Sequence, residues 1–510
     1  MKTSKNGRPG LVRALCAALL VALAFSIYFN SLEGEFVYDD NLQIVENPWI
    51  TDLKYLPSIF STHSLGFLGD KEHGRSYRPM VFAVYMAEYA FFGLRPWGWH
   101  LVNVILHAIN GVMVFFVLSR LLEAFRDNAA GTDPPPASYL PPMAGAVIFT
   151  AHTINNEAVA WVSCVPELVY TLLCLSAFYL HMRAAGGGRT ARAALTFLSA
   201  LLFLVAMMAK EPAIALPAFV FLYEALRGRG AFFSRLLKAL PSTFPYAAAL
   251  VVYFVLRTSA LGGVAPGENM YPFLSAYQYL LNGMVLFVKY MRVLVLPVGL
   301  YPFQIYDPVS SIAEPRTAVA TAAMAIGAAL LYVFRKRLPP LFFLAAAFII
   351  IPLLPALYIP GLSYQAFAER YLYFSTIGYG LIIALAFDAL AGRTGQKRSI
   401  AAVRAAAAVF VIATGLYSWG VVKKNPAWRD DITLWSRSEE GSPENFLARF
   451  HVGTALAKKG RPLEAIAKFN EAMEITAKSP HPSPWITGTS RMNLAHLYSS
   501  MGRQDLAASH

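Results

Sequence analysis

Residues 192–209 read RAALTFLSALLFLVAMMA, and Lys210-Glu211-Pro212 closes the run. One arginine opens the stretch and no other charge interrupts it. A helix needs about 20 apolar residues, and at least about 17, to cross the hydrocarbon of a bilayer, where its backbone groups can pair only within the helix. The stretch therefore predicts a transmembrane helix, and similar runs recur through most of the chain. Working outward, further spans are expected in an N-terminal stretch ending near Tyr28 and at about 100–122, 141–162, 165–183, 211–225, 242–257, 318–334, 338–357, 372–390 and 400–420. With 192–209 these make about 11 spans.

Composition agrees. The 510 residues are 56% hydrophobic and only 14% charged, where about 25% charged is usual for soluble domains. The expected class is an all-α polytopic membrane protein. Its net charge of +13 comes from 43 Lys+Arg against 30 Asp+Glu, and such an excess belongs in cytoplasmic loops. Arg183, Arg189 and Arg192, then Arg227, Arg229, Arg235 and Lys238, then Arg335, Lys336 and Arg337, and finally Arg393, Lys397, Arg398 and Arg404 fall in loops assigned inside. The loop around 123–140 is weaker, with Arg126 set against Asp127 and Asp133. No Lys/Arg block is long enough to follow a phosphate backbone, so membrane lipids are expected partners and nucleic acid is not. Cys16, Cys164 and Cys174 lie in apolar stretches without ligand spacing, which argues against a zinc site or a disulfide framework. The basic start (Lys2, Lys5, Arg8, Arg13) resembles a signal peptide, but no small-x-small cleavage site follows Phe29 and many spans do, so it reads as an uncleaved first span.

Two apolar stretches, 79–93 and 272–298, would each invert the remaining topology if they crossed. Both are amphipathic and aromatic-rich, with Tyr85, Glu88 and Tyr89 in one and Tyr277, Tyr279, Lys289, Tyr290 and Arg292 in the other. They are expected to lie along the outer interface. The outer face also carries a large loop, 30–99, acidic in its first half. Beyond the membrane domain (1–421), the chain takes on a soluble composition. In 422–510, Gly453, Leu456, Gly460 and Ala465 are matched at equal offsets by Ala495, Tyr498, Gly502 and Ala507, with Phe469 and Ala472 completing the first unit. This is the helix-turn-helix pattern of about two tetratricopeptide repeats, in which small residues let helices pack closely. Residues 480–484 read as a loop or insertion between them. So short a pair must either continue in a longer chain or lean on 422–445 and the membrane domain.

Four constellations carry chemistry. Asp39-Asp40 sits about ten residues beyond the first span, where a lipid-linked substrate would present its head group. A partly desolvated carboxylate there can act as a general base, or the pair can ligate a divalent metal through oxygen; neighbours in an extended segment point oppositely, so one of the two is expected to face the reaction centre. If 141–162 is helical, His152 and Asn156 lie one turn apart with Asn155 and Glu157 beside them, and Glu167 opens the next element. The spacing is not the His-Glu-x-x-His of zinc hydrolases. Such polar residues near the outer end of a span either serve a site or bond one another between helices. Lys210-Glu211 lies at an outer join of spans, where the lysine could neutralise phosphate. Glu369-Arg370-Tyr371 begins a late span, and arginine's planar fork suits phosphate. With Arg78, His73, Lys289 and Arg292, these groups return to the face that holds Asp39 and Asp40.

The series Phe36-Val37-Tyr38-Asp39-Asp40, Tyr77-Arg78-Pro79, Phe92-Gly93, His100 to His107, His152 to Glu157, Lys210-Glu211 and Glu369 to Tyr373, ending in repeats, resembles the transmembrane and tetratricopeptide-repeat O-mannosyltransferase family. It is more distantly similar to the protein O-mannosyltransferases and the wider GT-C glycosyltransferases. The resemblance implies a GT-C-like transmembrane bundle and inverting transfer of a mannose-like sugar from polyprenyl phosphate, on the non-cytoplasmic face, to a hydroxyl of protein Ser/Thr or of a glycan held by the repeats. It maps the acidic residue that acts as base or positions the acceptor onto Asp39, with Asp40 beside it; the constellations themselves supply the expected substrate-binding set, Arg78, His152, Asn155, Glu157, Glu167, Lys210, Glu211, Lys289, Arg292, Glu369, Arg370 and Tyr371. No cofactor is required for that chemistry, and a divalent metal is left open. Asn155 stands where the family usually has a second histidine, which counts against a histidine-based metal site. A bacterial inner membrane is favoured, with site and repeats on its periplasmic side. The rival readings are a lipid-linked sugar transporter or flippase, a glycan ligase, and a repeat-bearing membrane scaffold.

Overall fold

The computed structural model describes residues 7–69, 76–125, 139–263, 271–358, 366–390, 400–479 and 482–510. Every regular element among them is helical. In chain order these are α1 (Gly7–Tyr28), the short α2 (Leu56–Ser61), α3 (Pro79–Phe92), α4 (Pro96–Ala124), α5 (Leu140–Ala151), α6 (Asn156–Ala160), α7 (Val165–Ala184), α8 (Arg189–Ala209), α9 (Leu216–Arg227), α10 (Phe232–Ala239), α11 (Phe244–Leu261), α12 (Ala276–Val295), α13 (Pro315–Phe334), α14 (Pro340–Ile350), α15 (Ser375–Leu390) and α16 (Ile400–Lys424). The C-terminal region adds α17 (Asp431–Gly441), α18 (Phe446–Lys458), α19 (Pro462–Lys478), α20 (Pro484–Ser500) and α21 (Gln504–Ser509). The protein is an all-α, polytopic membrane protein.

Among the described residues, eight helical stretches are long and apolar enough to cross a membrane, including Pro96–Ala124, Arg189–Ala209 and Val403–Trp428. Three of the eleven expected spans are missing from that set, each for a local reason. The 141–162 stretch forms a helix only as far as Ala151, 12 residues long, which at 1.5 Å per residue falls well short of a bilayer core of about 30 Å. Pro212 and Pro217 divide the 211–225 stretch into a 3-10 turn (Glu211–Ala215) and the 12-residue α9. The 372–390 stretch begins with a 3-10 turn, leaving 16 residues in α15. Interrupted backbone at membrane depth is tolerated where protein covers it, and α5 is largely buried. It meets α15 backbone to backbone: a Cβ on Gly145 would lie 2.4 Å from the carbonyl oxygen of Gly380, the close approach that small residues allow between membrane helices. Neither α3 nor α12 is among the eight.

The C-terminal helices form hairpins. Asp430, Asn445 and Ser483 cap α17, α18 and α20 by accepting backbone N–H groups, as short polar side chains at N-caps do. A Cβ on Gly453 would come within 3.0 Å of the Phe469 ring, so α18 and α19 pack closely at that point. The tail leans on the membrane domain. Val37, Trp161 and Phe303 share one apolar core with Trp428, Trp435 and Phe450. The Asn445 amide donates to the Phe303 carbonyl at 2.9 Å, and Glu35 N–H donates to the Arg429 carbonyl at 2.7 Å.

Candidate active site

The site is organised by the break after α5. His152 leaves the helix in an extended conformation (φ −66°, ψ 124°), and its Nδ1 accepts the Ile154 N–H at 3.2 Å. Its Nε2 meets the Leu294 carbonyl at 2.8 Å, and its ring packs on Tyr417 at 4.4 Å. Asn155 donates to the Phe149 carbonyl at 2.7 Å. Asn156 donates to Asn425 at 2.6 Å and accepts from the Trp428 indole at 3.1 Å. The expectation of one helix through 141–162, with His152 and Asn156 one turn apart on it, is therefore corrected. Polar side chains that bond to nearby backbone compete with helical hydrogen bonds, and here they end the helix. His152 Nε2 ties the end of α5 to α12, while its Nδ1 is spent on the turn that follows.

The break lets the acidic side chains meet cations from distant elements. Glu157, which is 1% exposed, pairs with the Arg370 guanidinium and accepts the Arg370 N–H at 3.1 Å. Lys210 pairs with Glu167, and Arg370 Nε lies 3.8 Å from the same carboxylate. Glu211 instead takes the fork of Arg78, at 2.8 and 3.1 Å, with Arg257 at 3.6 Å. Lys210 and Glu211 are thus not each other's partners. Lys424 lies 2.6 Å from both oxygens of Glu369, while burial pushes the Glu369 carboxyl up to about 7 against that pull. The Tyr371 ring lies 5.1 Å from the Arg370 guanidinium and 5.6 Å from the Lys210 ammonium. Two neighbouring cations stand outside this matching. Lys289 donates to Gln304 at 2.9 Å and sits 3.9 Å over Phe367, and burial together with Arg292 pulls it down to about 8. Arg292, three residues along α12 and exposed, completes the pair; neither makes an ion pair with a described residue.

In front of this network the loop that follows α1 is sharply bent. Tyr38 holds φ +51°, a left-handed conformation that costs a bulky residue about 1–3 kcal/mol and persists only where the surroundings over-determine it. They do so here: the rings of Phe303, Trp435, His451 and Trp161 surround it at 5.0–6.0 Å, and its N–H donates to Asp431 at 2.8 Å. Beyond the bend the two aspartates part. Asp40 is fully buried and accepts the Val37 N–H at 2.9 Å, the Ser163 N–H at 2.8 Å and the Ser163 hydroxyl. Burial raises it to about 7, with those donors opposing. Asp39 makes no hydrogen bond or ion pair with any described residue. Burial raises it to about 6, and the charge of Arg370 pulls the other way.

Asp39 opens into a cleft of about 440 Å³, shared with Glu46 on its own loop and with Trp435, His451, Trp485 and Asn493 of the C-terminal helices. The structure thus brings Asp39, Asp40, Glu157, Glu167, Lys210, Glu369, Arg370 and Tyr371 to one end of the bundle, with Arg78 and Glu211 at its flank and Lys289 and Arg292 on α12. His152 and Asn155 lie behind, engaged in bracing. His73, Arg126, Asp127, Asp133, Arg393, Lys397, Arg398, Pro480 and His481 fall outside the described residues. Sequence reasoning missed Tyr38 as a strained pivot, and Asp431, Trp435 and His451 as its supports. The run of Trp428, Asp430, Asp431 and Trp435 just past the last span was the available signal. Among the described residues, no group of three or more His, Cys, Asp or Glu is arranged to hold a metal ion, and the oxygens of Asp40 and the nitrogens of His152 are already engaged.

No protein-family model matches the chain. It is 24% identical over 483 residues to the protein O-mannosyl-transferase F38B6.6 of Caenorhabditis elegans, covering 92% of this chain and 64% of that protein. It is 26% identical over 517 residues to the protein O-mannosyl-transferase TMTC1 of Homo sapiens, covering 91% and 56%, and 31% identical over 232 residues to TMTC1 of Mus musculus, covering 43% and 23%. The chain spans less than two thirds of the length of each. Among solved structures, ArnT from Cupriavidus metallidurans bound to undecaprenyl phosphate aligns with a TM-score of 0.42 at 15% identity, over 95% of this chain and 79% of that one; its apo state aligns with a TM-score of 0.38. The family that the motifs resemble is the one these sequence relatives carry, and along nine tenths of its length the chain is similar to proteins named as O-mannosyl-transferases.

Proposed function

We propose that the protein is an inverting, GT-C-like glycosyltransferase that moves a mannose-like sugar from a polyprenyl-phosphate donor to a hydroxyl of protein Ser/Thr, on the membrane face opposite its basic loops. In a bacterium that face of the inner membrane is periplasmic. The observation that carries the reading is Asp39: it makes no hydrogen bond or ion pair with a described residue, its basicity is raised to about 6, and it opens into a cleft. A carboxylate so held is suited to taking a proton near neutral pH.

In the proposed step the Asp39 carboxylate accepts the acceptor's hydroxyl proton. The acceptor oxygen bonds to the anomeric carbon from the side opposite the phosphate. The bond from that carbon to the phosphate oxygen breaks, and its electron pair leaves with polyprenyl phosphate. The charge that grows on the leaving phosphate needs fixed cations. Lys289 and Arg292 are suited to that, because Lys210, Arg78 and Arg370 are already committed to carboxylates. Asp40 anchors the loop through Ser163, and no step is routed through a metal.

The test is transfer of radiolabelled mannose from polyprenyl phosphate to a mixed Ser/Thr peptide pool by purified protein, with and without chelator. Asp39→Asn should lower the rate by about 10²–10⁴-fold, the usual worth of a general base. Undiminished transfer by that variant would remove the assigned base. Failure of the wild type to transfer sugar to peptides, glycans or water, while still binding the donor, would favour a transporter or scaffold.

A further inference from the structure

The wall of the cleft facing Asp39 belongs to the C-terminal helices, and three of its polar side chains are unspent on the described residues. His451 on α18 stacks on Trp435 with ring centres 4.1 Å apart and planes 17° apart, and meets Tyr38 edge-on at 5.4 Å. The ring is thus fixed by its neighbours, yet neither of its nitrogens is hydrogen-bonded to a described residue. Desolvation and Lys458 keep it neutral, pushing it down to about 3, so it offers one donor and one acceptor. On α20, Trp485, Thr489 and Asn493 line the same cleft. Thr489 and Asn493 make no side-chain hydrogen bond with a described residue, and Trp485 is 57% exposed.

The spacing on α20 indicates the occupant. Positions four apart on a helix are separated by about 6 Å of rise. An extended chain advances about 6.6–7 Å over two residues. Trp485, Thr489 and Asn493 are each four apart, so an extended polypeptide lying along α20 would meet one of them at every second residue, while the side chains between would face away from α20. The primary amide of Asn493 carries donors and an acceptor in one plane, the complement of a peptide group.

Resting on the transferase reading above, we infer that Thr489 and Asn493 bind the backbone of an extended acceptor polypeptide and that His451 hydrogen-bonds the same segment beside the hydroxyl presented to Asp39, which makes the repeat region one wall of the active site. His451 is then a positioning residue for the acceptor, and the substrate is an unfolded or strand-like segment.

The experiment measures KM and kcat for a peptide acceptor that the wild type has been shown to glycosylate, and for the polyprenyl-phosphate mannose donor. His451→Phe keeps a ring to stack on Trp435 and removes both nitrogens, and Asn493→Ala alters a half-exposed position whose side chain the fold does not use. Each should raise the acceptor KM about tenfold or more, with the donor KM within about twofold of wild type, and His451→Asn should recover part of the loss. A peptide N-methylated two residues from its Ser/Thr should show the same weakening with wild-type protein. Unchanged acceptor KM in both folded variants would overturn the inference, as would transfer to glycans but never to peptides; both results leave the transferase reading standing. A wild type that transfers sugar to nothing would overturn both.

Discussion

Asp39 stands between two surfaces built on opposite principles. Behind it, one end of the helical bundle matches Glu157, Glu167, Glu211 and Glu369 with Arg370, Lys210, Arg78 and Lys424. In front, α18 and α20 present His451, Thr489 and Asn493 to the cleft, and their side chains make no hydrogen bond with a described residue. Ion pairs with little solvent are costly to assemble and worse to leave half made, so the rear surface fixes geometry. The front surface leaves its hydrogen-bonding capacity free, which is what a binding wall needs. The difference teaches where substitutions should act: behind Asp39 on folding, at Asp39 on the chemical step, and in front of it on the acceptor.

The sharpest division should come from the two aspartates themselves. Asp39→Asn removes no hydrogen bond to a described residue, so it should cost activity by the factor of 10²–10⁴ given above and leave the thermal midpoint in detergent close to wild type. Asp40→Ala strands the N–H groups of Val37 and Ser163 and should lower stability by about 1–3 kcal/mol. A large loss of stability in Asp39→Asn would make that residue part of the rear surface and dissolve the comparison.

Next in size is the rear network. Arg370→Met leaves Glu157, which is 1% exposed, without its cation, and breaking such a pair from one side costs about 3–5 kcal/mol. The double variant Glu157→Gln/Arg370→Met should regain much of that loss, because the stranded charge is gone. Additive losses in a double-mutant cycle would mean that the pair is not coupled.

The same arginine sharpens the comparison through pH. The base must be ionised, so transfer should be present above about pH 6 and fall as pH drops through the Asp39 pKa of about 6. Arg370 favours the carboxylate; Arg370→Gln should therefore move the acidic limb of the rate profile to higher pH. A limb that stays in place would show that the titrating group lies out of reach of Arg370.

Much of this arrangement was legible in the sequence, because its carriers are long apolar runs and rare charges within them. The cost of a charge near lipid makes Glu157, Glu167, Lys210 and Arg370 conspicuous, and the order of apolar runs already places them at one end of the bundle. What escaped was local backbone. Nothing in the period of the run 141–162 says that His152 and Asn155 will spend their hydrogen bonds on the chain and end the helix at Ala151. Nor does an aromatic residue announce a positive φ: Tyr38 holds it only because Phe303, Trp435 and His451, remote in sequence, enclose it. The opposed aims of Asp39 and Asp40 were expected from strand alternation, but the structure produces them by a bend.

The smallest effect tests what joins the two surfaces. Lys459 at the end of α18 reaches Glu35 of the loop after α1 at 3.2 Å, and both side chains are more than half exposed. Exposed pairs of this kind contribute about 0–1 kcal/mol and less as salt rises. The apolar contact of Val37, Trp161 and Phe303 with Trp428, Trp435 and Phe450 removes far more surface from water, and area removed from water is what holds such an interface. Lys459→Ala should therefore leave the protease resistance of the C-terminal helices within error of wild type at both low and high salt, whereas Phe303→Ala should expose them to cleavage. If Lys459→Ala alone released them, the front wall would be held by charge, and the division between a charged rear that sets geometry and an aromatic front that binds would have to be drawn elsewhere.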